Sequence, residues 1–271
     1  MKLKKIIKLV ALLCIFSILL VGCGTDSTTS EEEVTTSEES ERRVLHLGTE
    51  GTMPPWTYME GDKLVGFEPD ICEEIAKRLD CDVELQKVKW TGLFGMLDSE
   101  RLDSIANIIT ITPEREEKYY FTKPYVYNPM VLATSIDSPI NSLDDIDGKS
   151  IVVEPGSSDE VVVEMLESEY GIKLEKKFYE GISMKDVELG RVDLWIGGEP
   201  NLRVNIERGI KLKIVGKTKM VQEYGYPFLK NPEGEKLRDE FDKVLDEMKA
   251  DGTLKAISEK HFGMDITEPI E

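Results

Sequence analysis

From residue 44 onward, strand-like and helix-like patterns alternate along the chain, and this alternation restricts the folds open to it more than any other feature. Residues 44–49 read as a strand. A helix follows at about 70–79, with Ile71, Cys72, Ile75, Ala76 and Leu79 on one face, and residues 83–88 form the next strand. A helix over about 91–100, an Ile-rich strand over 104–109, a short helix opened by Pro113 and a strand over 130–135 continue the series. A second series opens at 151–153. It has helices near 158–168 and 200–208 and strands near 174–178, 192–196 and 212–215. Helices over about 233–250 and 253–261 close the chain. Such alternation predicts an α/β protein with mainly parallel sheets. A length of 271 residues suits one large domain or two lobes.

The N-terminal segment does not belong to that pattern. Lys2, Lys4, Lys5 and Lys8 precede a 13-residue run, 9–21, that is apolar but for Ser17. The run is shorter than the roughly 20 residues a membrane-spanning helix needs, and it fits the apolar stretch of an export signal. It ends in Leu20-Val21-Gly22-Cys23, which resembles the bacterial lipobox, where cleavage precedes a Cys that is then lipidated. An ordinary signal peptide with a chance Cys is the alternative. Residues 24–41 hold seven acids, no base and a single Val, too little apolar surface to fold, and read as a flexible tether. Without residues 1–22, 30 basic residues face 53 acidic ones. A body that acidic argues against nucleic acid and against docking on anionic lipid.

Of the four Cys, Cys14 leaves with the signal and Cys23 carries the lipid. Export makes a disulfide between Cys72 and Cys81 tempting. A helix running through both would hold them about 13 Å apart, beyond the about 7 Å a disulfide spans. Two unpaired thiols are expected, with Cys72 in the core. Neither has metal-ligand spacing with His46 or His261, and no metal or cofactor is expected.

Several segments carry a resemblance. Gly48-Thr49-Glu50-Gly51-Thr52-Met53-Pro54-Pro55-Trp56 follows the first strand, and Leu64-Val65-Gly66-Phe67-Glu68-Pro69-Asp70 enters the first helix. Lys89-Trp90-Thr91-Gly92-Leu93, Thr110-Ile111-Thr112-Pro113-Glu114-Arg115 and Phe121-Thr122-Lys123-Pro124-Tyr125 come next. Gly156-Ser157-Ser158, Gly190-Arg191-Val192-Asp193, Lys249-Ala250-Asp251-Gly252-Thr253-Leu254 and His261-Phe262-Gly263 complete the set. In this order they resemble the extracellular solute-binding proteins of polar amino-acid ABC importers, family 3. Glu50-Gly51-Thr52, Leu97-Asp98-Ser99 and Asn107 look closest to the cystine-binding branch. The resemblance implies a two-lobed periplasmic-binding-protein type II fold, each lobe a mainly parallel sheet flanked by helices, joined by two hinge strands near 133–135 and 221–224. The expected division is residues 1–22 signal peptide, 23–43 lipidated Cys and tether, 44–133 plus 224–271 first lobe, and 134–223 second lobe.

The residues themselves suggest where a ligand sits. Arg115, three residues past Thr112 and just inside a short helix, offers a planar guanidinium to a carboxylate, with Thr110 and nearby amides adding donors. The resemblance implies that Arg115 and Thr110 hold a ligand's α-carboxylate; a surface pairing with Glu114, Glu116 or Glu117 is the alternative. Trp90 falls at the carboxyl edge of the sheet, where α/β ligands bind, or packs in the core. Met53 stands where the family has a stacking aromatic ring, with Trp56 nearby. Ser157 and Ser158, at a helix N-terminus, suit a carboxylate or simply cap the helix. Asn107 is a polar contact or a buried structural amide. Ile108 replaces a small or polar family residue. The family's Asp that takes an α-ammonium corresponds to Gly198 here, leaving Glu50, Glu154 and Glu199 as candidate carboxylates.

Together these imply a lipid-anchored, extracellular, monomeric protein that passes an amino acid, cystine or another polar one, to an ABC transporter permease. A dehydratase-type enzyme on the same scaffold, or a sensing module for a membrane receptor, is the alternative. Against an enzyme, no nucleophile-base pair stands out.

Overall fold

The computed structural model of the protein describes residues 42–179 and 184–270. The expected signal peptide, Cys23 and the tether up to residue 41 lie outside them.

In chain order, β1 (Val44–Thr49) leads to the small strands β2 (Thr52–Met53), β3 (Thr57–Glu60) and β4 (Lys63–Val65), then to α1 (Phe67–Arg78) and β5 (Asp82–Lys87). There follow α2 (Trp90–Asp98), β6 (Ser104–Ile105), α3 (Pro113–Lys118) and β7 (Tyr119–Phe121). The long strand β8 (Val126–Ser135) enters a second set: β9 (Ser150–Val153), α4 (Ser158–Tyr170), β10 (Glu175–Phe178), α5 (Met184–Glu188), β11 (Leu194–Gly198) and α6 (Glu199–Glu207). The chain returns along β12 (Leu212–Tyr224) to β13 (Pro227–Leu229), α7 (Pro232–Ala250) and α8 (Thr253–Phe262).

The first lobe centres on the parallel sheet β5-β1-β6, supported by the antiparallel pair β13-β7. The second centres on a five-stranded sheet, order β10-β9-β11-β8-β12. Here the expectation of a mainly parallel sheet gives way to a mixed one. β10, β9 and β11 run parallel, but β8 is antiparallel to both its neighbours. The cause is connectivity, since β8 brings the chain in and β12 takes it out, so the two run in opposite directions.

Side-chain alternation sorts residues onto the two faces of that sheet. Met130, Leu132, Ile151, Val153, Leu194 and Ile196 join one apolar cluster, while Val131, Ala133, Val152 and Trp195 join another on the opposite face. Both faces are covered, which is why these strands read as unbroken apolar runs.

The expected crossing at 133–135 lies inside this sheet, where Ala133 pairs with both Trp195 and Ile214. The crossing strands are Val126–Pro129 and Val221–Tyr224, which pair with each other ahead of a register shift between Lys217 and Val221. Residues 126–135 form one continuous strand, so nothing in composition marks where one lobe ends.

Helix α1 starts three residues before the expected 70. Pro69 lies in its first turn, where a missing N–H breaks no helical bond. Cys72 and Cys81 are buried free thiols, with Cys72 in the first lobe's core. The strand expected over 104–109 stops at Ile105, because Ile108 takes a left-handed φ of 48° that no strand continues through.

Candidate functional site

A cleft of about 790 Å³, part of it open to solvent, lies between the lobes. One wall is built around α3. Thr112 caps that helix, its hydroxyl accepting from the Arg115 amide at 3.2 Å, and Pro113 sits at the first helical position. This places Arg115 facing inward. Its Nη1 donates to the Thr110 carbonyl at 2.9 Å and its Nη2 to the Gly156 carbonyl at 3.4 Å. The guanidinium carbon lies 5.6 Å from the Trp90 ring centre and 5.3 Å from that of Phe94, two rings set edge to face. Burial pulls the Arg115 pKa down, against the opposing pull of Glu114, Asp159 and Tyr119.

The opposite wall is the N-terminus of α4. Ser157 occupies its cap position but makes no capping bond, and its buried hydroxyl has no partner. Ser158 Oγ lies 2.8 Å from Thr110 Oγ1, directly across the cleft. Trp90 Nε1 donates to the Pro155 carbonyl at 3.1 Å. The structure is therefore closed around the cleft.

A polar chain lines the hinge side. Gln222 Nε2 donates to Ser158 Oγ at 2.9 Å and to Asp159 Oδ1 at 3.2 Å. The Tyr224 hydroxyl donates to Gln222 Oε1 at 3.0 Å and accepts from Asn128 Nδ2 at 2.6 Å. Burial pushes the Asp159 carboxyl up to about 6, against the pull of Gln222 and Arg115.

Eleven of the candidate residues named from sequence line this cleft: Arg115, Thr110, Asn107, Ile108, Trp90, Glu50, Met53, Trp56, Ser157, Ser158 and Glu154. Trp56 also packs in an aromatic cluster with Phe67, Phe262 and Tyr224, and is almost wholly buried. Asn107 Oδ1 accepts from the Glu50 amide at 2.9 Å and from Thr49 Oγ1 at 3.1 Å, which shapes the loop after β1. Glu199 is the exception. It lies outside the cleft lining, its carboxylate paired with Arg203 and, at 2.8 Å, with Lys217. Burial would raise its pKa, but those two cations outweigh it and hold the group low.

Sequence reasoning passed over Asn128, Asp159, Gln222 and Tyr224. Asp159 follows the two serines it did single out. The other three lie on the crossing strands, where an Asn-Pro pair inside an apolar run was the available signal. Among the described residues, no three His, Cys, Asp or Glu side chains group as metal ligands. Neither His lines the cleft; His261 pairs with Asp70.

Residues 45–264 match the sequence profile of the bacterial extracellular solute-binding proteins, family 3. The chain belongs to that family. Among its family relatives, the probable amino-acid-binding protein YxeM of Bacillus subtilis is 34% identical over 271 residues, 98% of each chain. The L-cystine-binding protein TcyJ of Escherichia coli is 30% identical over 262 residues, 95% of this chain and 97% of that one. An ancestral arginine-binding protein bound to arginine has a TM-score of 0.73 at 32% identity, over 82% of this chain and 100% of its own. A structure from work on glutathione import through GshT and the cystine importer TcyBC of Streptococcus mutans has a TM-score of 0.77 at 28% identity, over 84% of this chain and 98% of that one. The two lobes and their crossing strands are thus the type II solute-binding fold. Among the described residues, no helix is long and apolar enough to cross a membrane.

Proposed function

We propose that this family 3 protein is a lipid-anchored receptor that captures an amino acid, cystine or another polar one, between its lobes and delivers it to the permease of an ABC importer. Residues 1–22 direct export, Cys23 carries the lipid, and the acidic stretch to residue 43 lifts the body off the membrane. The first lobe is the chain before Val126 with the chain after Tyr224, and the second is the stretch between.

The observation that carries this reading is the placement of Arg115. The Arg115 guanidinium, set against the rings of Trp90 and Phe94, reaches the Gly156 carbonyl beside the N-terminus of α4 on the other lobe, where Ser158 meets Thr110 and the Ser157 hydroxyl has no partner. Both sides therefore offer donors to one small anion, and a carboxylate fits both. Ligand contact with both lobes favours the closed state by its differential affinity. The names of the relatives, cystine and arginine among them, support an amino acid as the cargo.

Calorimetry of the full chain in mild detergent against the twenty L-amino acids and L-cystine tests the reading. Saturable binding of at least one is expected. Binding of none overturns the substrate class.

A further inference from the structure

Glu68, the second residue of α1, has no exposure to solvent and lies outside the cleft lining. A carboxyl shut away from water is costly, and an apolar side chain of similar size would fill the space without that cost. Its surroundings show what the carboxyl does there.

Three donors converge on it. The Tyr125 hydroxyl donates to Oε1, and the Tyr226 hydroxyl donates to Oε2 at 2.9 Å. The backbone amide of Ile108 is the third. Tyr125 immediately precedes β8, and Tyr226 lies between β12 and β13, so the two hydroxyls come from the places where the crossing strands meet the first lobe. Their rings stack with centres 4.6 Å apart and planes 13° from parallel, and both belong to the first lobe's apolar core, which restricts their turning.

The third donor comes from the cleft itself. Asn107, Ile108 and Thr110 all line it, and Ile108 holds the left-handed angle that a β-branched residue avoids. The same loop is tied to the end of β12, where the Gly225 amide donates to the Ile109 carbonyl at 3.0 Å and the Ile111 amide to the Glu223 carbonyl at 2.8 Å. The Glu68 amide in turn donates to the carbonyl of Trp56, another lining residue, at 2.9 Å. One side chain thus joins the ligand loop to the ends of both crossing strands. A carboxylate suits the place because both of its oxygens accept, whereas an amide side chain accepts at one atom only.

We propose that Glu68 is a positioning residue for ligand binding: oriented by Tyr125 and Tyr226, it holds Ile108 in its left-handed conformation and so sets Asn107 and Thr110 toward the ligand. This rests on the reading of the cleft as an amino-acid site. Glu68 acts through the loop and does not touch the ligand.

The test is calorimetry of the full chain in mild detergent with whichever amino acid binds, read as a double-mutant cycle. Glu68→Met, which removes the acceptors, is expected to lose at least tenfold in affinity. Glu68→Gln, whose oxygen can still accept from the Ile108 amide, is expected to recover most of that loss. Tyr125→Phe/Tyr226→Phe keeps both rings and their packing, guards against a variant that fails to fold, and is expected to lose at least fivefold. In Ile108→Gly the angle carries no strain, so the same changes made there should cost less than twofold. Hydrogen exchange in the ligand-free protein is the second measurement. The Ile108 amide is expected to exchange at least tenfold faster in Glu68→Met, with the Leu47 amide of β1 unchanged. Affinity within twofold of the natural chain in Tyr125→Phe/Tyr226→Phe and in a folded Glu68→Met overturns the proposal. So do equal losses in the Ile108→Gly background, or equal acceleration of both amides, which marks a general loosening of the fold. Failure of the natural chain to bind any amino acid overturns the site reading, and the proposal with it.

Discussion

Two residues at the cleft show how one backbone angle or one ion pair changes a side chain's role. Ile108 is β-branched yet holds φ at 48°, a conformation that costs such a residue about 1–3 kcal/mol. Its amide bonds to the carboxylate of Glu68, buried beneath it, which helps hold the loop in place. A glycine would adopt that angle more readily. Glu199, a candidate carboxylate for the ligand, is the first residue of α6, and Arg203 and Lys217 take its charge. Arg115, in contrast, has its guanidinium directed at carbonyls on either side of the cleft. Arg115→Ala should weaken amino-acid binding by at least about 2 kcal/mol, since the ligand's carboxylate would be left buried and unpaired. Calorimetry with whichever amino acid binds checks this, and unchanged affinity would remove Arg115 from the carboxylate site.

Among the elements, α3 and the crossing strands do most to build the site. α3 has six residues, too few to be stable alone, and depends on the Thr112 cap and Pro113. Thr112→Ala should lower stability by about 1 kcal/mol in denaturant unfolding, and should weaken ligand binding as well because Arg115 loses its backbone anchor. Equal affinity in that variant would mean that the cap does not position the guanidinium. The strands β1 and β9 and the helix α3 fell where the residue pattern placed them, since each has a clean local signal: an apolar stretch or a Thr-Pro start. The strand after residue 105 did not, because its termination depends on a left-handed residue held by a distant buried carboxyl. The hinge position was illegible for a different reason. β8 is paired along its whole length, first with Val221–Tyr224 and then with β11 and the rest of β12, so the change of lobe leaves no break in the strand.

At the scale of the whole molecule, closure and buried charge set the behaviour. Away from the ligand cleft, Asn205 Nδ2 on α6 donates to the Pro54 carbonyl of the other lobe at 3.3 Å. Asn205→Ala removes one neutral bond of the closed state, worth about 1 kcal/mol, so affinity should fall by about fivefold although Asn205 does not line the cleft. No change in affinity would show that this contact does not contribute to closure. Glu68 is fully buried, and burial pushes its carboxyl up to about 7, against the pull of the Tyr125 and Tyr226 hydroxyls and the Ile108 amide. The folded state then holds more protons than the unfolded chain between about pH 4.5 and 7, so stability falls as pH rises through that window and levels off above it. The effect is on the order of 3 kcal/mol, and Asp159, raised to about 6, adds to it in the same direction at lower pH. Melting curves of the ligand-free protein from pH 5 to 8 should show this decline, and Glu68→Gln should flatten it. A variant with the natural slope would place the titrating group elsewhere.

The sequence by itself determined the α/β alternation, the order of motifs that marks the family and the two free thiols, and it singled out Arg115 and Thr110 on one wall of the cleft and Ser158 on the other. All of these rest on residues close together in the chain, where spacing decides geometry. Only the tertiary structure decided the mixed second sheet, the hinge at Val126–Pro129, the diversion of Glu199 and the chain from Asp159 through Gln222 and Tyr224 to Asn128. That chain joins side chains up to 96 residues apart. It exists because β8 and β12 pair in one particular register, which puts Asn128, Gln222 and Tyr224 on the same face of the hinge.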